Sequence, residues 1–252
     1  HTRYWRDWSS DVCSSDLSSE SSKQGDDKAV DLDDAVQEWL TKPVDESRVL
    51  LLHGNSGAGK SLYCALLEKH MWRDYRRGTD TPLTPLRISL PACSDPEKSA
   101  VSETLDERCG LSVRDVRDAA ASRNRKWVIV LDGYDEVQGK SNFVVGNKIA
   151  TLLPTAKVIV TCRTEYLVSL PGGFTSLFRP EHDVTSTRQL AQRFVRAFKV
   201  KQLEQFFDKF VSYRDRTDAG PHPTVNATTT QWSAERYTTF IKDRKLDRKS
   251  TR

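Results

Sequence analysis

Val49-Leu50-Leu51-Leu52-His53-Gly54-Asn55-Ser56-Gly57-Ala58-Gly59-Lys60-Ser61-Leu62 decides how this chain folds. The first four residues form a short, uninterrupted apolar run, which a strand buried on both faces requires. Gly54 to Ser61 follow the spacing G-x-x-x-x-G-K-[ST], and a helix is expected to start at Lys60. Glycines let consecutive backbone N–H groups curl around phosphate oxygens, and the helix N-terminus adds its positive dipole end. Lys60 is the expected cation for the β- and γ-phosphates, and the Ser61 hydroxyl the expected Mg²⁺ ligand. Gly54, Asn55, Ser56, Gly57, Ala58, Gly59, Lys60, Ser61 and Leu62 are therefore the expected nucleotide-binding segment.

Outward from this loop, strands alternate with helices. Upstream, Leu32, Ala35, Val36, Trp39 and Leu40 recur at helical spacing, with Asp31 as the cap. Downstream, the helix from Lys60 is expected to carry Leu62, Leu66 and Trp72 until Gly78 stops it. Leu86–Leu90 reads as a strand bracketed by Pro85 and Pro91, then helices near Ser99–Arg108 and Val113–Ser122. Trp127–Leu131 and Lys157–Thr161 are two more β-branched, apolar strands. This alternation predicts an α/β domain with a parallel sheet flanked by helices, and with the Gly54–Ser61 loop the expected fold is that of a P-loop NTPase. Past Pro180 the strand signal ends; helices are expected at Arg188–Phe198 and Leu203–Val211, and another from Trp232 to Ile241. The aromatic stripe of Leu203–Val211 reads as core packing rather than a partner-binding face.

Two further stretches carry chemistry. Asp132 ends the apolar run Val128–Leu131, which puts its carboxylate beside the phosphate loop, where a Mg²⁺-bound water needs an acceptor. Asp135 and Glu136 follow at once, at the carboxyl edge where open α/β sheets bind ligands, and either can orient or deprotonate an attacking water. Arg163, in Thr161-Cys162-Arg163, directly follows a strand on the same edge and is expected to reach a γ-phosphate. Asp135, Glu136 and Arg163 are thus the expected catalytic set, with Ser61 and Asp132 on the metal.

Gly54–Ser61 (the Walker A form), Asp132-Gly133-Tyr134-Asp135-Glu136 (the Walker B form) and Thr161-Cys162-Arg163 together make the chain resemble the NACHT family of STAND-class P-loop NTPases. Leu90-Pro91 and the segment Phe198–Tyr213 are looser echoes. The resemblance implies a switch that holds ADP when closed and exchanges it for ATP when stimulated, then opens and forms homo-oligomers. It also implies ATP or ADP and Mg²⁺ as ligands, an N-terminal effector domain, and C-terminal sensor repeats outside this fragment. The expected organisation is a linker over residues 18–28, the NACHT domain over 29–180, and a truncated helical extension over 181–246.

Other nucleotide-binding classes fit less well. No Leu-Ser-Gly-Gly-Gln-like signature of a cassette ATPase is present, and Asn147-Lys148-Ile149-Ala150 lacks the acid of a GTPase motif and precedes its strand. A small-molecule kinase would need a lid and an acceptor pocket. A nucleotide-binding scaffold with negligible turnover is the stronger alternative, because a switch needs only differential affinity for its two states.

Composition agrees with a globular, cytoplasmic domain: 37% hydrophobic and 29% charged residues, with no long apolar run to span a membrane. A net charge of +4, with basic and acidic residues interleaved, gives no argument for nucleic acid. The five cysteines show neither metal spacing nor a disulfide framework, and reduced thiols are expected. The two ends stand apart. His1–Leu17 resembles a translated sequencing-library adapter, and Asp247–Arg252 can be encoded by the reverse complement of that adapter, so both are expected to be foreign to the protein.

Overall fold

The computed structural model describes residues 30–78, 82–112, 126–138, 140–179 and 190–196, with isolated positions elsewhere. Helix α1 (Leu32–Thr41) leads into β1 (Val49–Gly54) and α2 (Lys60–Arg76). Next come β2 (Leu83–Ser89), a 3-10 turn (Leu90–Ala92), α3 (Ala100–Cys109) and β3 (Lys126–Asp132). The short helices α4 (Phe143–Gly146) and α5 (Ile149–Leu152) precede β4 (Lys157–Arg163) and α6 (Thr164–Ser169). A 3-10 turn (Thr175–Phe178) and β5 (Ala191–Phe194) complete the described elements. All strand pairs are parallel, in the order β2-β3-β4-β1-β5.

The central strands are buried on both faces, and their alternation sorts the core into two halves. Val49 and Leu51, Ile129 and Leu131, and Val158 and Val160 point to one face, with Ala100, Leu105, Phe143, Ile149 and Leu167 from α3 to α6. Leu50, Leu52, Val128, Val130 and Ile159 point to the other, under Leu32, Val36 and Trp39 of α1 and Tyr63, Leu67 and Met71 of α2. Asp31 caps α1 as expected, accepting from the backbone N–H groups of Asp33 and Asp34 at 2.7 and 3.4 Å. Trp39 ties α1 down by donating from Nε1 to Ser47 Oγ at 3.0 Å.

Three expectations are corrected. On α2 the buried face is Tyr63, Cys64, Leu67 and Met71, whereas Leu62 is 55% exposed, Leu66 is half-buried and Trp72 is 36% exposed. Both stripes recur at helical spacing, and docking on the sheet selects one. Pro85 lies inside β2 rather than before it; among the described residues β2 is an edge strand, so the missing N–H costs no ladder bond on its open side. Most notably, a strand, β5, lies within Arg188–Phe198, where a helix is expected. Leu190, Phe194 and Phe198 fit a helical period, but pairing of residues 191–194 with Leu50–His53 of β1 decides otherwise. The sheet therefore continues past residue 180. The expected helices at Val113–Ser122, Leu203–Val211 and Trp232–Ile241 lie mostly outside the described residues. Among the described residues, no helix is long and apolar enough to cross a membrane.

Candidate functional site: the cleft at the carboxyl edge of the sheet

The loop between β1 and α2 turns through two left-handed glycines, Gly57 at φ 74° and Gly59 at φ 92°, conformations that carry little cost only without a Cβ. Gly59 is also the residue before the first turn of α2, so the loop delivers the chain into a helix N-terminus. Lys60 Nζ donates to the carbonyl oxygens of Gly54 and Asn55 at 2.8 and 2.9 Å. Its ammonium is thus held against the loop that curls around it. Burial pulls its pKa below the ordinary lysine value, and the Asp135 carboxylate opposes that shift.

Strand register brings the other groups alongside. Gly54 is level with Arg163 across β1 and β4, and Ser89 is level with Asp132 across β2 and β3. A cleft of about 250 Å³ opens there, with Ser56–Leu62 on one side and Gly133, Asp135, Glu136, Thr161 and Arg163 on the other. Gly54 and Asn55 serve through the carbonyls that hold Lys60 rather than by lining the cleft.

Asp132 sits just beneath this cleft and is nearly buried. Its Oδ1 accepts from Ser61 Oγ at 2.9 Å and from Thr161 Oγ1 at 2.6 Å. Thr161 Oγ1 in turn accepts from the Gly133 N–H at 2.9 Å, so one hydroxyl locks both the acid and the turn after it. The hydroxyl and carboxylate expected on a divalent cation are therefore in contact at the mouth of the phosphate loop, a hard oxygen pair suited to Mg²⁺. A nucleotide's phosphates would meet the loop amides and Lys60 there, and the bound metal would neutralise their charge.

Asp135 and Glu136 differ in how they are held. Arg163 Nε pairs with Asp135 Oδ2 at 3.0 Å, and the Arg163 backbone N–H donates to Asp135 Oδ1 at 3.0 Å. Glu136 stands 3.9 Å from Arg163 Nη2 with a half-exposed side chain. The structure thus brings together Lys60, Ser61, Asp132, Asp135, Glu136 and Arg163, residues separated by up to about a hundred positions in sequence.

Four residues near the site escaped the sequence reading. Thr161 was legible only as part of its tripeptide. Arg87 and Glu68 form a salt bridge of 2.9 Å next to Asp132; the signals were an arginine inside an apolar strand and a glutamate two helical turns beyond Ser61. His53, the last residue before the loop, is buried, with Nδ1 3.1 Å from Thr164 Oγ1 and its ring edge-on to Phe194. Asn147, from the failed GTPase motif, has a structural part: buried, it accepts from the Val101 N–H and donates to the carbonyls of Pro96, Glu97 and Phe143.

A parallel sheet in this order, with a glycine loop, lysine and hydroxyl after β1 and an acid at the end of β3, defines a P-loop NTPase, a nucleotide-binding class. Within it the chain belongs to the NACHT family, whose domain model matches residues 48–214. An uncharacterised WD repeat-containing protein of Nostoc sp. is 27% identical over 194 residues, covering 71% of this chain and 12% of that protein. The chain therefore spans a small part of the length of this relative. Among solved structures, the Aeropyrum pernix ORC2 protein, in ADPNP and ADP complexes, superposes with a TM-score of 0.50 at 11% identity, over 81% of this chain and 53% of that one. Drosophila ORC bound to DNA matches with a TM-score of 0.48 at 15% identity, over 73% and 47% of the two chains. At such identities the ORC2 likeness is one of fold.

Proposed function

We propose that this NACHT domain is the ATP-operated switch of a larger cytoplasmic signalling protein, binding Mg·ATP and ADP and hydrolysing ATP slowly. One observation carries this reading: Lys60, the Ser61–Asp132 pair and the Arg163–Asp135 pair converge on a single cleft at the carboxyl edge of the sheet. Lys60 meets the β- and γ-phosphates, Ser61 and Asp132 hold the Mg²⁺, and Glu136 or Asp135 positions the water. Arg163 reports the γ-phosphate, since its guanidinium exchanges carboxylate partners for phosphate oxygens. A change at the γ-phosphate then alters the turn at Asp135–Glu136 and favours an open form that homo-oligomerises through flanking domains.

Lys60→Ala in the full chain tests the site. Isothermal titration should show Mg·ATP affinity falling by at least about tenfold, about 1.4 kcal/mol. Affinity within a few-fold of the parent in a folded variant would refute the assignment. A scaffold without turnover is the second reading, favoured by the two contacts that hold Asp135 on Arg163 rather than leaving it for water. Single-turnover hydrolysis beside ATP and ADP affinities separates the two.

A further inference from the structure

Asp132 is faced by more than hydroxyls. Its Oδ1 is taken by Ser61 and Thr161, while Oδ2 lies 3.7 Å from Nη1 of Arg87 on β2. Arg87 is itself fixed: Nε donates to Glu68 Oε2 at 2.9 Å, and its backbone carbonyl accepts from Arg108 Nη1 at 2.9 Å. Glu68 belongs to α2, two turns past Ser61, so the helix that begins at the phosphate loop also anchors the arginine. The three side chains are mostly buried, with Asp132 only 9% exposed, which limits screening by solvent.

A cation about 4 Å from a carboxylate oxygen acts on any second cation that oxygen is asked to bind. It offsets the negative charge that would draw a metal in, and it repels the metal directly. Removing Arg87 would leave Glu68 and Asp132, the two carboxylates that its guanidinium now faces, with no cation between them, a stronger divalent-cation site than the protein now presents. We propose that Arg87, held by Glu68, is a positioning residue that acts through Asp132 to keep the cation position weak until nucleotide phosphates supply the remaining negative charge. With Arg87 in place, Asp132 would hold Mg²⁺ only together with nucleotide phosphates and would hold free Mg²⁺ weakly. This inference rests on Asp132 belonging to the metal, as in the proposed function.

The test measures metal affinity, not turnover. Mn²⁺ binding to the nucleotide-free full chain is followed by electron paramagnetic resonance, and Mg²⁺ is titrated into chain mixed with a fluorescent ATP analogue. Arg87→Gln should bind free Mn²⁺ at least about threefold more tightly than the parent, and lower the Mg²⁺ midpoint for the analogue. Glu68→Gln, which releases the guanidinium toward Asp132, should do the reverse. Arg87→Lys keeps the charge and should stay within about twofold of the parent. Opposite signs at the two partners of one salt bridge are not what a purely structural pair gives, since both variants would then lose affinity together. Shifts in the same direction, or none, overturn the proposal while leaving Asp132 on the metal. Should Arg87→Gln not fold, the Glu68→Gln shift decides the sign. If the parent's nucleotide affinity is the same with Mg²⁺ and with chelator, the metal role of Asp132 fails, and this inference fails with it.

Discussion

Arg163 holds Asp135 from two directions, by its backbone N–H at one carboxylate oxygen and by its guanidinium at the other, each at 3.0 Å. The backbone contact depends only on the turn, whereas the side-chain contact can be exchanged for phosphate. Arg163→Ala should therefore spare ADP binding to within a few-fold and cut hydrolysis by at least about tenfold. ATP and ADP affinities measured beside single-turnover rates check this. Equal weakening of both nucleotides would mark Arg163 as a general structural residue.

The same pair separates the two acids that follow Asp132. Glu136 is half-exposed beside the cleft and makes only a long contact with Arg163, so it is the better placed to take a proton from water. Glu136→Gln should slow turnover by about 100-fold with nucleotide affinity nearly intact. Asp135→Asn should behave like Arg163→Ala, and the two should be non-additive in the double variant. A stall in Asp135→Asn with normal turnover in Glu136→Gln would exchange their roles.

Gly54 ends β1 beside Val195, the residue that follows β5. A Cβ at Gly54 would lie 2.3 Å from the Val195 carbonyl oxygen, and the Val195 N–H already donates to the His53 carbonyl at 2.7 Å. Backbone has to move to admit a methyl group. Gly54→Ala should lower unfolding stability by about 1–3 kcal/mol, as overpacking does, measured by urea titration of the full chain. An unchanged midpoint would mean that β5 does not seal this edge in solution.

His53 predicts a pH dependence of known sign. Burial, aided by the neighbouring Lys60 ammonium, lowers its pKa from 6.5 to about 4. Between those values the unfolded chain binds a proton that the folded chain refuses, so its contribution is complete above pH 6.5 and is lost as pH falls toward 4. Asp31 acts oppositely: burial raises its pKa from 3.8 to about 6, so the fold gains from protonating it in the same window. Comparing the parent with His53→Asn cancels the Asp31 effect. The parent should lose more stability between pH 7 and pH 5 than the variant does, as read from urea midpoints at the two pH values. Parallel losses would show that His53 is solvated.

Much of this protein is written in short stretches. The strand–loop–helix from Val49 through Lys60 and Ser61, the strand ending at Asp132, the strand from Lys157 that leads to Arg163, and the Asp31 cap were all legible. Each is a local pattern, whether a continuous apolar run, a glycine spacing or a cap before a periodic segment, and its physical cause lies within a few residues. Tertiary structure alone decided what lies across the chain. The face of α2 expected from Leu62, Leu66 and Trp72 is the wrong one, because Tyr63, Leu67 and Met71 also recur at helical spacing; contact with the sheet buries the second set. Strand β5 was invisible because its four residues are only half-buried, and it gains its conformation from pairing with β1 about 140 residues earlier. Of the partners of Asp132, Ser61 is legible from its place on the phosphate loop, whereas Thr161, 29 residues away, and the Arg87–Glu68 bridge, which joins an edge strand to a helix, are not. Sequence reports which residue types are available to the site; the register of β2 on β3 and of β4 on β1 sets which of their charges meet.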